Sequence, residues 1–357
     1  VMLVIVMLLL QFSFIEFNNF VYAEEATNPN SEKYHYKQLT QEAKKLYDAI
    51  YEMYVSGILK TGTQSYDLIE NGCVTQEQLE QYSNGNTTLT KAMDAARYAF
   101  YADYPEMFYV NIQKLRLRIT KDAQNNYYAN IGSGTFKNYY IDGFTSKEQV
   151  EEAIAEFDSV VNEIAQKAQN IQEQEGANKK VEQIKLVHNE IINNTSYRFE
   201  SDCTPGNEGF LGTPYGALVK KQAVCEGYAR ALKIILDKIG INNILVQGTH
   251  QSDGAAAVPH MWNYVQIEKQ TNARAIEKVW YAIDATLDDP FLRDTTVDTT
   301  LPEFGPGDDI QEGFENTRYC LVGTETMNQE HIVIETVEAA GNYVFRYPEL
   351  NVEDYGI

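Results

Sequence analysis

YGALVKKQAVCEGYARALKIILDKIG, residues Tyr215 to Gly240, holds the pattern around which the rest of the chain is arranged. Its apolar residues Tyr228, Leu232, Ile235, Leu236 and Ile239 recur at the spacing of one buried helical stripe, and Gly240 supplies a stop. The helix so predicted starts at Cys225. There the unpaired backbone N–H groups and the positive end of the macrodipole favour a thiolate over a thiol. A single cysteine is nevertheless better read as a small buried hydrophobe unless partners elsewhere give it chemistry.

Two segments further on offer those partners. His260 to Ile267 and Ile276 to Thr286 both have strand composition, with polar residues between them. An antiparallel hairpin with its loop centred on Asn272 sets His260 opposite Asp284, Trp262 opposite Ala282 and Tyr264 opposite Trp280. It also gathers Met261, Val265, Val279 and Ile283 on the other, core-facing side. One nitrogen of His260 then bonds the carboxylate while the other reaches a thiol. A cysteine that attacks a carbonyl needs such an imidazole to take its proton and later to protonate the leaving amine, and a carboxylate to fix the imidazole tautomer. The bland readings are a buried cysteine, an edge-strand histidine and a turn-forming aspartate before Asp288-Asp289-Pro290, and all three must hold together to replace this one.

The blocks GALVKKQAVCEGYARAL, PHMWNYVQI and VWYAIDATLDDP, in that order, resemble the transglutaminase-like superfamily in the form common in exported bacterial proteins. The resemblance covers roughly residues 181 to 331. It implies an α+β, papain-like fold in which the cysteine's helix packs on an antiparallel sheet. It makes Cys225 the nucleophile, His260 the general base and Asp284 the orienting acid, with no cofactor and no metal. Gly227 would permit close packing at the helix start, and Tyr228, Trp262 and Trp280 would wall the site, although each aromatic is read first as core. The Cys225 N–H is the natural oxyanion donor, with Gln222 or Tyr215 as candidate side-chain donors. The resemblance extends to Tyr319-Cys320-Leu321-Val322 and His331, to which no chemistry is assigned.

The first half of the chain reads as a separate, smaller α+β domain of unknown role, residues 38–175. Leu39 to Leu59 and Thr88 to Tyr101 have helical spacing, Phe108 to Thr120 and Tyr127 to Ile141 alternate as strands, and Ser146 opens a long helix with the stripe Val150, Ile154, Phe157, Val161 and Ile164. Residues 176–335 are the catalytic domain, joined through the Gln- and Glu-rich Gln166 to Lys180, and 336–357 are a C-terminal tail. The catalytic domain opens with a helix, Val181 to Asn193, whose His188 reads as a packed histidine with one hydrogen-bonded nitrogen. A Gly- and Pro-rich loop, Pro205 to Pro214, leads to the Cys225 helix, and Asn243 to Gly248 reads as a strand. Residues 1–23 read as a signal peptide, with Val21 and Ala23 suited to cleavage, followed by a polar tether over 24–37. Gln11, Ser13, Glu16, Asn18 and Asn19 interrupt the apolar run too early for a membrane anchor, so no stable span is expected after cleavage.

A length of 357 residues favours two domains, and 44% hydrophobic residues supply a core. The net charge of −22 makes nucleic acid and anionic lipid poor partners. Cys73, Cys203, Cys225 and Cys320 show no C-x-x-C pairing, which disfavours structural zinc, and at most one disulfide could form among the three outside the site. The expectation is a secreted or cell-surface cysteine enzyme acting on a protein, peptide or cell-wall amide, with peptidase or amidase chemistry favoured over protein cross-linking. The competing class is a non-catalytic surface module that keeps the fold for binding. Substrate and oligomeric state stay open.

Overall fold

Why the 215–240 stretch organises the chain is visible in what its stripe touches. The computed structural model describes residues 30, 32–62, 65–172, 178–198, 208–252, 256–272, 275–289 and 317–356. The proposed signal peptide, Cys203 and the Pro205 end of the loop lie outside the described residues. Tyr228, Leu232, Ile235 and Leu236 are fully buried, and each aliphatic member contributes about 1.5–3 kcal/mol relative to exposure. The helix runs Cys225–Lys238, and Gly240 then takes the left-handed conformation (φ 78°) that ends it.

In chain order, the first half comprises helices α1 (Tyr34–Lys37), α2 (Gln41–Val55) and α3 (Ile58–Thr61), strand β1 (Tyr66–Asp67), helices α4 (Gln76–Ser83) and α5 (Thr88–Asp103), strands β2 (Arg116–Lys121) and β3 (Tyr127–Gly132), and helix α6 (Lys147–Gln169). The second half comprises α7 (Lys179–Ile192), β4 (Ser196–Tyr197), a π-helical turn (Gly216–Lys220), β5 (Gln222–Ala223), α8 (Cys225–Lys238), β6 (Asn243–His250), β7 (Val258–Asn272), β8 (Ala275–Ile283), β9 (Cys320–Val322), α9 (Thr324–Glu330), β10 (His331–Val333), β11 (Thr336–Val337) and β12 (Tyr343–Val344). The main sheet has the order β10-β6-β7-β8-β9 and is antiparallel throughout. Helix α8 packs on β6 and β7, while Trp262, Tyr264, Ile244 and Val246 bury the opposite face against Tyr319, Met327 and Tyr347. The fold is therefore α+β, a helix bearing the cysteine on an antiparallel sheet.

Several sequence expectations change in detail. The expected long strands of the first half shorten to β2 and β3, because Asn111 caps a 3-10 turn at Ile112–Lys114 that ends the extended run. Helix α4 was not anticipated, although Thr75 and Gln78 form a reciprocal capping box that the sequence displays. From Lys33 onward the polar stretch read as a tether is docked: His35 is fully buried, and its backbone N–H bonds Asp103 at the end of α5. The 336–357 segment also packs back. Phe345 is fully buried against Tyr98 and His35, and the Asn351 N–H bonds the Trp280 carbonyl. Among the described residues, one cluster of buried side chains runs from Tyr36 through α2, α5 and α6 to α8 and Phe345.

Candidate active site

Cys225 is the first residue of α8, and the N-cap residue Val224 offers no side-chain cap, so the N-terminal N–H groups and dipole act on the sulfur and on whatever it binds. Close approach of the preceding chain makes this geometry. A Cβ on Gly227 would lie 2.6 Å from the Leu211 carbonyl oxygen and 2.8 Å from Ala223 Cβ, so glycine is required where the helix start wedges between them.

His260 lies on β7 opposite Gly248 of β6, and Asp284 follows the last residue of β8. The hairpin register differs from the expected one by two residues: Tyr264 faces Ala282 and Gln266 faces Trp280. The closing pair is Asn272 with Ala275, with an irregularity between Gln270 and Asn272, and this displaces the loop centre assumed from composition. A two-residue slip leaves every side chain on its expected face. His260 Nε2 lies 2.5 Å from Asp284 Oδ2, and Cys225 lines the same cavity as this imidazole, near enough to act on its charge. Burial alone would lower the His260 pKa, but the Asp284 carboxylate and Cys225 outweigh it and raise the value to about 10. Burial would likewise raise Asp284, yet the imidazoles of His260 and His331 hold it well below the ordinary carboxylate range.

The turn that carries Asp284 is held from behind. Its Oδ1 accepts the N–H groups of Thr286 and Leu287. Fully buried His188 of α7 lies 3.0 Å from Asp288 through Nε2, with Nδ1 3.1 Å from the Asn189 side chain, so both nitrogens are engaged where one was expected. The Tyr228 hydroxyl donates to Asp289, which makes this aromatic a core strut of the turn and not a site wall.

Other expected site residues fall differently. Trp262 is buried and stacks beside His260, ring centres 5.9 Å apart. Trp280 does not wall the site: it pairs with Gln266, six residues along β7 from His260 and hence about 20 Å away. Tyr215 is turned away, its hydroxyl donating to Glu156 and its ring stacked on Phe108. Gln222 sits on β5 beside Ser196, outside the lining of the cavity at Cys225. Tyr215→Phe is accordingly expected to leave Cys225 reactivity unchanged and to lower stability by about 1 kcal/mol, measured by alkylation rate and urea unfolding. A large loss of reactivity would return the hydroxyl to the site.

That cavity measures about 510 Å3. Cys225, Glu226, Gln247, Pro259, His260 and Met261 line one side; Arg97, Tyr98 and Tyr101 of α5, the 110–113 segment and Ile141 line the other. The first half of the chain thus builds a wall of the site, which composition and periodicity could not reveal. The wall is fastened to α8: Arg230 donates to the Tyr101 carbonyl at 2.6 Å with its guanidinium over the Tyr101 ring, and the Tyr98 hydroxyl donates to Gln247 at 3.0 Å. Among the described residues, His260, Asp284 and His331 form a group whose donor atoms all lie within 4.8 Å of one another, a spacing that could hold a metal ion, and Nε2 of each histidine lies within hydrogen-bond reach of Asp284 Oδ2. His331 is the site neighbour to which the sequence assigned no role. Cys73 and Cys225 carry free thiols.

Comparison with known proteins finds a family match over part of the chain. Residues 165–285 match the family model described as transglutaminase-like superfamily, a span that begins within α6, earlier than the three sequence blocks. Solved structures similar to the chain include a TGase (15% identity, TM-score 0.26, 48% of this chain and 44% of that one) and a candidate cysteine protease from Cytophaga hutchinsonii (11% identity, TM-score 0.25, 48% and 62%). A candidate protease from Parabacteroides distasonis is similar over 48% of this chain and 39% of its own (12% identity, TM-score 0.20). The match therefore spans less than two thirds of each of these chains. No curated protein matches. Over residues 165–285, then, the chain carries a domain of the transglutaminase-like superfamily.

Proposed function

We propose that the protein is an exported cysteine enzyme that acts on amide bonds through an acyl-enzyme at Cys225. The observation that carries this reading is His260 bonded to Asp284 and lining, with Cys225 at the start of α8, one cavity of about 510 Å3. In the first half-reaction the Cys225 sulfur attacks the amide carbon, its proton having passed to His260. The developing oxyanion meets the N–H groups at the α8 start. Collapse breaks the C–N bond, and His260 returns the proton to the leaving amine. Water, deprotonated by the same imidazole, then adds to the thioester and releases acid and thiol. An amine in place of water gives transfer. A peptidase or amidase role is preferred to cross-linking on family tendency, and the apolar leader supports export.

The test is to incubate the protein with peptide, cell-wall and protein mixtures and to read the mass carried by Cys225. An acyl adduct is expected in the wild type, absent in Cys225→Ala, and discharged by water faster than by added amines. Retained binding to wall material in Cys225→Ala, with no adduct from any mixture in the wild type, would move the protein to the non-catalytic class.

A further inference from the structure

We propose that His331 is a positioning residue of this site, a second imidazole donor that shares the Asp284 carboxylate with His260. The inference rests on the reading of Cys225 and His260 as a reactive pair. His331 Nε2 lies 2.9 Å from Asp284 Oδ2, the same oxygen that His260 approaches at 2.5 Å. With two N–H groups of the turn on Oδ1, the carboxylate receives four donors. An acceptor oxygen requires that His331 Nε2 carry the proton. Its Nδ1 is buried and has no partner among the described residues, and the ring stands edge-on to Trp262 and Tyr319. Nε2 is therefore the nitrogen through which His331 donates, and Nδ1 is left facing the packed interior.

The chain places His331 there through backbone pairing. It opens β10 opposite His250 of β6, and a Cβ on Gly248 would sit 2.1 Å from the Ile332 carbonyl oxygen and 2.5 Å from the Trp262 ring. The charged and titratable groups around His331 are Asp284 from the end of β8, His260 from β7, His250 from β6, Tyr319, and Glu330 with its partner Arg318. Glu330 accepts from Tyr319 and lies 3.4 Å from His250, so its charge is spent outside the shared carboxylate. A second donor on Oδ2 keeps Asp284 ionised and aimed while reducing its pull on the His260 imidazolium. That imidazolium must give its proton up in each turnover.

The experiment is 15N-histidine NMR across pH on the full chain, with iodoacetamide alkylation of Cys225 alongside. In the wild type the His331 proton is expected on Nε2. In His331→Phe the His260 titration midpoint is expected to move upward by about half a unit or more, and His331→Gln, which keeps a donor at the same reach, is expected to return it. An Nδ1–H tautomer in the wild type overturns the proposal without any variant. So does an unchanged His260 midpoint in folded His331→Phe. Should wild-type Cys225 alkylate as an ordinary thiol indifferent to His260→Ala, it is the enzyme reading that fails, a result distinct from either of these.

Discussion

His260→Ala is expected to slow turnover of an amide substrate by about 10²–10⁴-fold and to remove the low-pH reactivity of Cys225 toward iodoacetamide. The reasoning starts from the two neighbours of His260. Its imidazole is buried, bonds Asp284, shares a cavity with Cys225, and has a pKa raised to about 10, so it is cationic across neutral pH in the resting protein. An imidazolium beside a sulfur at a helix start favours the thiolate. An ordinary thiol is only about 0.3% ionised at pH 6, so alkylation at that pH reads directly what the imidazole contributes. Because a more acidic thiol is also a poorer nucleophile, the net advantage over the variant at pH 6 is roughly tenfold and not several hundredfold. Linkage gives a second readout. The raised His260 contributes stability that is fully present below about pH 6.5 and is lost as pH rises through about 10. The depressed Asp284 contributes stability present above about pH 4 and lost as pH falls through its folded value. These are two views of one ion pair, and urea unfolding across pH should show both losses shrink in His260→Ala. An alkylation profile identical in wild type and variant would remove His260 from the chemistry.

How much of this was legible beforehand follows from which residues act locally. The α8 stripe and the Gly240 stop depend on spacing within one helix, and the Ser146 cap of α6 on one side chain bonding the Gln149 N–H, so all were readable. The faces of the β7–β8 hairpin were readable because alternation determines them, while its register was not, since an irregularity near Gln270 leaves no mark in composition. The wall role of Trp280 came from the resemblance alone, since even the expected register set it four residues along β7 from His260. Tyr215 looked available because a stacked, hydrogen-bonded tyrosine and a free one have the same letter. His331 and Asp284 are 47 residues apart and meet only because β10 adds to the edge of β6, a pairing between a three-residue strand and one far from it in sequence. The wall formed by α5 was invisible on the same grounds: Tyr98 and Tyr101 lie more than a hundred residues before Cys225.

Asp103→Ala is expected to cost about 3–5 kcal/mol, because it removes the acceptor on which α1 is docked. Asp103 ends α5 and is buried. Its Oδ1 takes the His35 N–H at 3.2 Å and faces the His35 ring nitrogen at 2.8 Å, while Oδ2 takes the Tyr36 N–H and the Tyr47 hydroxyl, each at 3.0 Å. Alanine would leave a buried imidazole, a phenol and two backbone donors without that partner, and the desolvation penalty of such groups exceeds the net worth of the bonds lost. Burial alone would raise the Asp103 pKa, but His35 holds it below the ordinary value. Its contribution is therefore present above about pH 4 and is lost as pH falls through the folded pKa. Asp103→Asn, which keeps the shape and one acceptor, should cost less and should flatten the acid limb of the stability curve. Urea unfolding at neutral and acid pH measures both. A change below about 1 kcal/mol in Asp103→Ala would show that α1 is not fastened here. The consequence reaches the site through α5 itself: the helix whose end grips His35 also presents Tyr98 and Tyr101 to the Cys225 cavity, and Phe345 packs on both His35 and Tyr98. Loosening the Asp103 clamp should therefore slow acylation by large substrates more than alkylation by iodoacetamide, because a small reagent needs the sulfur and not the wall.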